Sequence, residues 1–285
     1  MIFEAPEKAL AGRYPGSPAR LRHRLIDDPR FMLEALVGLA ARLPAASIEY
    51  NAGDLAVGQD PALTPSNGLS VEETIRRIET CRSWMVLKNV EQDPAYAAAL
   101  EDCLADISAA AETKTGRMEK KLGFIFISSA GSVTPFHMDP EHNILMQLRG
   151  AKEFHVYPAN GGIVSDEDHE LYHAGAQHRN LQHKPEFDRL AAVHAMGPGD
   201  ALYVPVKAPH WVKVSDGPSV SFSITWRSRA SLDEAALRLA NRALRQKRAM
   251  LPGHHDRNQQ DRRSGRRPPT RNKPRSRRRA AHRAL

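Results

Sequence analysis

The sequence predicts a mainly β fold in which a jelly-roll barrel carries additional helices at both ends. From residue 123 onward, short apolar or alternating runs are separated by Gly, Pro and Asp, a pattern typical of strands joined by turns. Before and after this stretch, apolar residues recur at helical spacing instead. Because the strands are closely spaced and linked by turns, a jelly roll is favoured over a parallel sheet that alternates with helices. The predicted regions are a helical N-terminal region packed on the barrel (1–110), the barrel (111–230), a C-terminal helix (231–249) and a basic tail (250–285).

Helices and one short strand are predicted before the barrel. Residues 17–43 carry apolar side chains at helical spacing, with Pro29 dividing two helices. Ser70 and Glu73 form a capping box, in which each side chain satisfies the other residue's backbone N–H, so a helix is predicted over residues 71–81. The other predicted elements of this region are a loop over residues 44–69, a buried strand over 84–87 and a helix over 93–110.

Six runs predict the strands of the barrel, and a capping box predicts the helix that follows. The runs are residues 124–128, 143–148, 153–157, 200–206, 210–214 and 219–226. Ser231 and Glu234 form the capping box at the start of the C-terminal helix. The apolar stripe of this helix, from Leu232 to Leu244, needs a packing partner. The barrel's outer wall and a second copy of the chain, which would make a homodimer, are the two candidates.

The positive charge of the chain lies in the tail. The formal net charge is +8, yet residues 250–285 contain 12 Lys and Arg against 2 Asp, whereas residues 1–249 hold 29 basic and 31 acidic residues. We expect the tail to be disordered, because it has almost no large apolar side chains with which to offset the entropy of ordering. Weak nucleic-acid contact through the tail and a merely solvated extension are both open.

Composition and cysteine content indicate a globular protein of a reducing compartment. Hydrophobic residues make up 41% of the chain, and no apolar run approaches the roughly 18 residues of a membrane span. The first ten residues lack the basic and apolar regions of a secretory signal. Cys81 and Cys103 are too few for a disulfide framework. We therefore expect a cytoplasmic protein with no membrane partner.

Two histidines and an aspartate are the candidate metal ligands. In His137-x-Asp139, strand alternation places both side chains on one face. Fe(II) oxygenases hold their metal with two histidines and one carboxylate on one face of an octahedron, which leaves positions for a co-substrate and O2. His210, at the start of a later strand, supplies the missing imidazole, because strands distant in sequence lie side by side in a jelly roll. The pair alone decides little, since His254-x-Asp256 recurs in the tail.

Further polar residues surround this motif. Lys152 offers a cation at the far end of the cavity for the distal carboxylate of 2-oxoglutarate, and the hydroxyl of Thr134 can share that carboxylate. Asn143 is either a third contact or the cap of a turn. Residues 158–196 contain five histidines that fit no zinc pattern, and we interpret them as a polar lid over the site.

The stretch from about Gly123 to Arg227 resembles the cupin-like branch of the JmjC family, which includes the asparaginyl hydroxylase factor inhibiting HIF. Two motifs carry the resemblance, TPFHMDPEHNILMQLRGAKEFHVYP and GPGDALYVPVKAPHWVKV. The resemblance implies a double-stranded β-helix, the jelly roll of cupins. It also implies iron bound by His137, Asp139 and His210, and 2-oxoglutarate contacted by Thr134, Asn143 and Lys152.

Two positions depart from the family pattern. The family often places an Asn shortly before a Trp on the last strand, where this chain has Thr225 followed by Trp226. We expect Thr225 to bind 2-oxoglutarate in place of that Asn. The aromatic hydroxyl that contacts 2-oxoglutarate in some members has no counterpart in the strand FIFISS (residues 124–129).

These residues predict an Fe(II)- and 2-oxoglutarate-dependent oxygenase that hydroxylates a protein side chain or a small molecule with O2. One alternative is a cupin enzyme that does not use 2-oxoglutarate. A second alternative is a regulator or sensor, in which the cupin holds a metal and the tail binds nucleic acid. No motif in the chain identifies the substrate or decides between hydroxylation and demethylation.

Overall fold

A computed structural model of the chain describes residues 1–250, without the side chains of Pro61 and Met250. The chain divides into two compact units, Met1–Arg242 and Ala243–Leu285, and the second unit is described only up to residue 250. The basic tail and the His254-x-Asp256 pair lie outside the described residues. The predicted disorder of the tail and its contact with nucleic acid therefore stay predictions.

The described residues form six α-helices and eleven strands. The helices are α1 (Pro6–Leu10), α2 (Leu33–Arg42), α3 (Val71–Arg76), α4 (Pro94–Thr115), α5 (Asp166–His173) and α6 (Arg229–Met250). The strands are β1 (Ala19–Arg22), β2 (Ile48–Ala52), β3 (Ser83–Lys88), β4 (Met118–Ser128), β5 (Val133–His137), β6 (His142–Arg149), β7 (Lys152–Val156), β8 (Ala192–Met196), β9 (Asp200–Val204), β10 (His210–Val214) and β11 (Ser219–Ser228). Short 3-10 helices lie at Pro29–Phe31, Ala45–Ser47, Pro61–Leu63, Val90–Gln92 and Pro185–Leu190.

The strands form two antiparallel sheets, which confirms the predicted jelly-roll fold with helical additions. One sheet has seven strands in the order β1-β9-β6-β11-β4-β3-β2, and the other has four in the order β5-β10-β7-β8. Neighbours in each sheet are mostly distant in sequence, as β6 and β11 show by pairing Asn143 with Thr225. Such crossovers between two sheets bring residues from both motifs into one barrel.

Two apolar cores hold the two sheets and the helices together. The larger core lies on the seven-stranded sheet, where Phe222 and Ile224 of β11 meet Leu100, Leu104 and other buried residues of α4. The smaller core lies inside the barrel and joins side chains of both sheets, such as Leu145 of the larger sheet and Phe154 of the smaller one. The two faces of the large sheet therefore have different roles: one anchors the helices and the other faces the barrel interior.

The helical prediction for residues 17–43 is wrong in its first half. Residues 19–22 form β1, in which Ala19 and Leu21 are buried and the two arginines between and after them are exposed. This strand pairs with β9, and Arg22 Nη1 lies 2.7 Å from the Asp200 carboxylate of that strand. A run of alternating arginines and apolar residues fits a strand as well as a helix. Here it forms a strand, because it pairs with the free edge of β9.

The predicted loop over residues 44–69 also contains a strand. Ile48–Ala52 form β2, which pairs with β3 along its whole length. The seven-stranded sheet thus draws β1 and β2 from segments predicted to be a helix and a loop, whereas β3 (Ser83–Lys88) matches the strand predicted over residues 84–87. An edge strand has only one paired neighbour, so its pattern of buried residues is weak and hard to detect in a sequence.

One of the two predicted capping boxes is present. The Ser70 and Glu73 capping box starts α3 as predicted, although the helix ends at Arg76. The predicted box of Ser231 and Glu234 is wrong, because Ser231 exchanges hydrogen bonds with Ser228 and α6 begins at Arg229. Glu234 instead forms an ion pair with Lys207.

The apolar stripe of α6 is largely exposed within the first unit. Leu237 and Leu239 are 59% and 45% exposed, so the barrel wall does not cover this part of the helix. The homodimer through α6 stays a prediction. None of the helices formed by residues 1–250 combines the length and the apolar character that crossing a bilayer requires.

Candidate metal centre

Strand pairing brings the three predicted ligands together. His137 ends β5 and His210 begins β10, and the two residues are paired partners in the four-stranded sheet. Asp139 follows β5 directly, and its backbone carbonyl accepts a hydrogen bond of 2.7 Å from the Lys207 N–H in the turn before β10. The two histidines are far apart in sequence, and the pairing of β5 with β10 brings them side by side.

The side-chain atoms of these residues point at one place. Asp139 Oδ2 lies 3.6 Å from His137 Nε2 and 3.7 Å from His210 Nε2, and one ligand atom from each residue lies within 4.8 Å of the others. The other ring nitrogen of each histidine donates to a backbone carbonyl, His137 Nδ1 to Pro135 at 2.7 Å and His210 Nδ1 to Ala208 at 2.9 Å. These bonds fix the tautomer that leaves both Nε2 lone pairs free for a cation.

The protonation of the site suits a cation. Burial lowers the pKa of His210 to about 4, helped by the charge of neighbouring His137, so His210 is neutral at pH 7. Burial acts to raise the pKa of Asp139, but His137, Arg179 and His210 outweigh it and hold that pKa far below its usual range. A neutral imidazole and an ionised carboxylate are the forms that bind metals.

A cavity between the two sheets is lined by the ligands and by Lys152, which the register of β7 and β10 separates: His210 at the start of β10 pairs with Val156, and Val214 at its end pairs with Lys152. Its lining, called the inner cavity below, consists of Phe126, Ser128, Thr134, His137, Asp139, Asn143, Leu145, Lys152, Phe154, Arg179, His210, Val212 and Val214. Lys152 is 4% exposed, and within residues 1–250 its ammonium has no hydrogen-bond or ion-pair partner. Burial lowers its pKa to about 7. A buried cation without a partner is costly unless an anionic ligand joins it, so the cavity fits a carboxylate at this end.

Thr134 and Asn143 both present hydrogen-bond donors in this cavity. Trp84 Nε1 donates to Thr134 Oγ1 at 3.1 Å, so the threonine's own O–H remains available to donate. Ser223 Oγ donates to Asn143 Oδ1 at 2.7 Å, which leaves the amide N–H groups of Asn143 as donors. Asn143 is thus a strand residue that lines the cavity rather than the cap of a turn.

Thr225 does not line the inner cavity. It pairs with Asn143 across β11 and β6, but its hydroxyl donates to the Leu122 carbonyl at 3.4 Å. The prediction that Thr225 contacts a co-substrate therefore lacks support from the geometry. The strand FIFISS contributes Phe126 and Ser128 to the cavity wall.

Residues 178–180 of the predicted lid lie beside the ligands, although no pattern in the sequence singled out these three residues. Arg179 Nη1 lies 3.3 Å from Asp139 Oδ1, and Asn180 forms a bridge with His137. This segment also borders a second cavity, called the outer cleft below, of about 420 Å³. The outer cleft is lined by Glu49, Asn51, Leu55, Thr64, Trp84, Lys88, Thr134, Pro135, His137, His178, Arg179 and Asn180. It shares Thr134, His137 and Arg179 with the inner cavity, so it opens directly at the ligands.

The remaining histidines do not form a second metal cluster within residues 1–250. His142 starts β6 and is buried between Tyr203, Ser228 and Trp226. Burial lowers its pKa to about 3. His155 stacks on Trp211 with ring centroids 3.8 Å apart.

The family follows from a comparison with known proteins. The model of a family described as the cupin-like domain matches residues 67–231, more than half of the chain. The chain belongs to this family. It is the JmjC-like branch of the cupins, a family of 2-oxoglutarate oxygenases. The set of His137, Asp139 and His210 fits Fe(II), and the partnerless Lys152 fits a carboxylate of 2-oxoglutarate.

Individual relatives match over a short stretch. Jumonji C domain-containing protein 5 of Drosophila melanogaster is 36% identical over 107 residues, which are 35% of this chain and 26% of that protein. Lysine-specific demethylase JMJ30 of Arabidopsis thaliana is 34% identical over 110 residues, 35% of this chain and 25% of that protein. The chain thus spans about a quarter of the length of these relatives.

A solved structure shares the fold. The Escherichia coli protein YcfD superposes with a TM-score of 0.53 at 16% identity, covering 80% of this chain and 54% of that one. At this identity the likeness shows the fold alone, and it extends beyond the barrel into the added helices and strands.

Proposed function

We propose that this protein is an Fe(II)- and 2-oxoglutarate-dependent oxygenase that hydroxylates a protein side chain or a small molecule. One observation carries the proposal: a two-histidine, one-carboxylate cluster and a buried, partnerless lysine line the same cavity. The first fits iron and the second fits the distal carboxylate of 2-oxoglutarate. When bound, the iron and 2-oxoglutarate supply the oxidation, in which O2 gives one oxygen atom to succinate and one to the product as CO2 leaves.

The residues of this chain would bind the iron and 2-oxoglutarate and orient them. His137, Asp139 and His210 would hold the iron from one side and leave its other side facing the cavity. Lys152 would neutralise the distal carboxylate, and the hydroxyl of Thr134 would donate to it. The 2-oxo acid end of the co-substrate would then lie at the ligands, because Lys152 pairs with the last residue of β10 whereas His210 is the first residue of that strand.

The apolar part of the inner cavity excludes water. Phe126, Leu145, Phe154, Val212 and Val214 form its walls between the two sheets. A dry cavity strengthens the attraction between the lysine and a carboxylate. It also protects the oxidant from reaction with solvent until the substrate is in place.

The substrate would approach through the outer cleft. The cleft is mostly polar and wide enough for several side-chain groups, and its wall reaches the metal ligand His137. The names of two relatives describe a lysine-specific demethylase and a ribosomal oxygenase, and both names refer to protein or ribosomal substrates of those proteins. We place this chain in the same reaction class, with hydroxylation as the proposed outcome and a cytoplasmic location as a prediction.

Succinate release tests the proposal. The purified protein, loaded with Fe(II) in the presence of 2-oxoglutarate and O2, should form succinate, and His137→Ala should abolish it. Incubation with a cell extract followed by mass spectrometry should reveal products heavier by one oxygen atom only with the unmodified protein. Iron-loaded protein that forms no succinate with any substrate pool would contradict the proposal.

Calorimetry separates the proposal from a cupin that does not use 2-oxoglutarate. Lys152→Ala should weaken 2-oxoglutarate binding strongly while metal binding persists. Unchanged 2-oxoglutarate binding in this variant would favour the other cupin chemistry. A role for the tail in nucleic-acid binding is independent of the site, and it predicts a salt-dependent affinity that is lost when residues 250–285 are deleted.

A further inference from the structure

Arg179 lies on a short segment that extends the sheet carrying the metal ligands. Residues 179–181, called the strap, run beside β5. The Met138 N–H donates to the Arg179 carbonyl at 3.2 Å, and the Leu181 N–H donates to the Phe136 carbonyl at 2.8 Å. The strap is therefore fixed to the same strand end that supplies two of the three ligands.

The two oxygens of the Asp139 carboxylate have different partners. Oδ2 is the atom near both ligand histidines, at 3.6 and 3.7 Å from their Nε2 atoms. Oδ1 faces Arg179 Nη1 at 3.3 Å. The backbone carbonyl of Asp139 accepts a hydrogen bond from the Lys207 N–H at 2.7 Å. The carboxylate thus presents one oxygen to the metal position while a cation occupies the other.

We infer that Arg179 is a positioning residue that keeps Asp139 a one-oxygen ligand. This inference rests on the proposed function. A carboxylate that is free to rotate can bind a metal through both oxygens. In an octahedral site, a second oxygen from Asp139 would take a position that the co-substrate or O2 needs. By holding Oδ1, Arg179 keeps that position open, and it does so at the boundary between the inner cavity and the outer cleft.

Binding of two chelating anions tests this role without turnover. Fe(II) protein is titrated under anaerobic conditions with 2-oxoglutarate, followed by the visible charge-transfer absorption of the chelate, and in competition with oxalate. Oxalate chelates a metal but has no distal carboxylate. The variants are Arg179→Gln, Arg179→Lys and Lys152→Met. Arg149→Gln is the control, because Arg149 also forms one exposed ion pair, with Glu79 at 2.6 Å.

Arg179→Gln should weaken the binding of both anions by the same factor, about 10- to 100-fold. This is the usual effect of removing a hydrogen-bond partner of a metal ligand. Lys152→Met should weaken 2-oxoglutarate only, since oxalate does not reach the far end of the cavity. Arg179→Lys should recover part of the loss, because an ammonium can still hold Oδ1. Circular dichroism of each variant checks that the fold is intact.

Three results would overturn the inference. The first is a loss limited to 2-oxoglutarate in Arg179→Gln, which would place Arg179 at the distal carboxylate instead. The second is affinities for both anions within about twofold of those of Arg149→Gln, a difference well below one tenfold step of about 1.4 kcal/mol. The third is a wild-type protein that binds Fe(II) but neither anion, and this result would also remove the proposed function, whereas the first two would leave it standing.

Discussion

Replacing Lys152 with methionine should weaken 2-oxoglutarate binding and, at the same time, stabilise the folded protein. Methionine has nearly the same length and no charge, so the variant removes the cation with little change of volume. Lys152 is buried and has no hydrogen-bond or ion-pair partner among residues 1–250. When a residue serves ligand binding at the expense of stability, its replacement weakens ligand binding and stabilises the fold.

The size of the stability gain follows from the pKa of Lys152. Burial lowers this pKa from 10.5 to about 7. Because one pKa unit corresponds to about 1.4 kcal/mol, the charged lysine costs at most about 5 kcal/mol in the folded state. A gain of roughly 2 to 5 kcal/mol would raise the thermal midpoint of Lys152→Met by roughly 5 to 15 °C.

The gain should depend on pH in a defined direction. Below pH 7 both the folded and unfolded states carry the charged lysine, so the cost is fully present. Between about pH 7 and 10.5 the unfolded state binds a proton that the folded state has lost, so wild-type stability rises with pH. The advantage of Lys152→Met should therefore be largest below pH 7 and should shrink as the pH rises toward 10.5.

The loss of 2-oxoglutarate binding should be large. A hydrogen bond to a charged group contributes about 1.5 to 3 kcal/mol, which corresponds to a roughly 10- to 150-fold weaker affinity. Calorimetry with metal-loaded protein measures this loss, and thermal unfolding of the ligand-free protein measures the stability. Wild-type binding above pH 7 should also take up a proton, because the bound carboxylate restores the charge of Lys152.

Lys213→Met is the matched control, since Lys213 lies on the adjacent strand β10 with its side chain exposed. It should change neither quantity appreciably. If Lys152→Met were less stable than the wild type at pH 6 and bound 2-oxoglutarate normally, Lys152 would be an ordinary structural residue. The assignment of the far end of the cavity to a carboxylate would then be refuted.

Four further variants test other features of the structure. Burial lowers the pKa of His142 to about 3, so between pH 6.5 and about 3 only the unfolded state is protonated there and wild-type stability should fall with decreasing pH. His142→Gln should remove up to about 1.4 kcal/mol per pH unit of this slope in urea unfolding, and an identical slope would disprove the assignment. Gly150→Ala should destabilise the protein by about 2 to 4 kcal/mol, because Gly150 has a φ of +70° and an added Cβ would lie 2.1 Å from the Pro218 carbonyl oxygen. Gly162→Ala, with a φ of +74° and open space around it, should cost only about 1 kcal/mol, and equal losses in the two variants would show that the close contact is not decisive. Thr225→Ala should leave 2-oxoglutarate affinity within about twofold of wild type, and a tenfold loss by calorimetry, about 1.4 kcal/mol, would restore Thr225 to the site.

Local patterns predicted site residues that lie on a strand or directly after it. His137 and Asp139 were recognisable because alternation along a strand sends every second side chain to the same face. The third ligand was expected from the chemistry of the iron site, and His210 was the imidazole at the start of a later strand. These three residues form a cluster in the structure. The capping box of Ser70 and Glu73 was predicted for a similar reason, since its two members are close in sequence.

Thr225 and Arg179 show what such patterns do not contain. Thr225 stands opposite Asn143, as a contact residue should, but a hydrogen bond to the neighbouring strand keeps its hydroxyl engaged. Arg179 lies in an irregular segment, and only the pairing of the strap with β5 brings it to Asp139. No periodicity in the sequence indicates the hydrogen bond of Thr225 or the contact of Arg179 with Asp139.

By itself, the sequence determined the jelly-roll class, the three candidate ligands and the lysine at the far end of the cavity. The physical reason is that strand alternation and turn residues act over a few positions, so a short stretch of chain carries their full signal. Tertiary structure decided that β1 and β2 are strands, that Ser228 rather than Glu234 partners Ser231, and that Arg179 holds Asp139. Each of these depends on which edge or side chain a distant part of the chain presents, and that partner exists only after the sheets have formed.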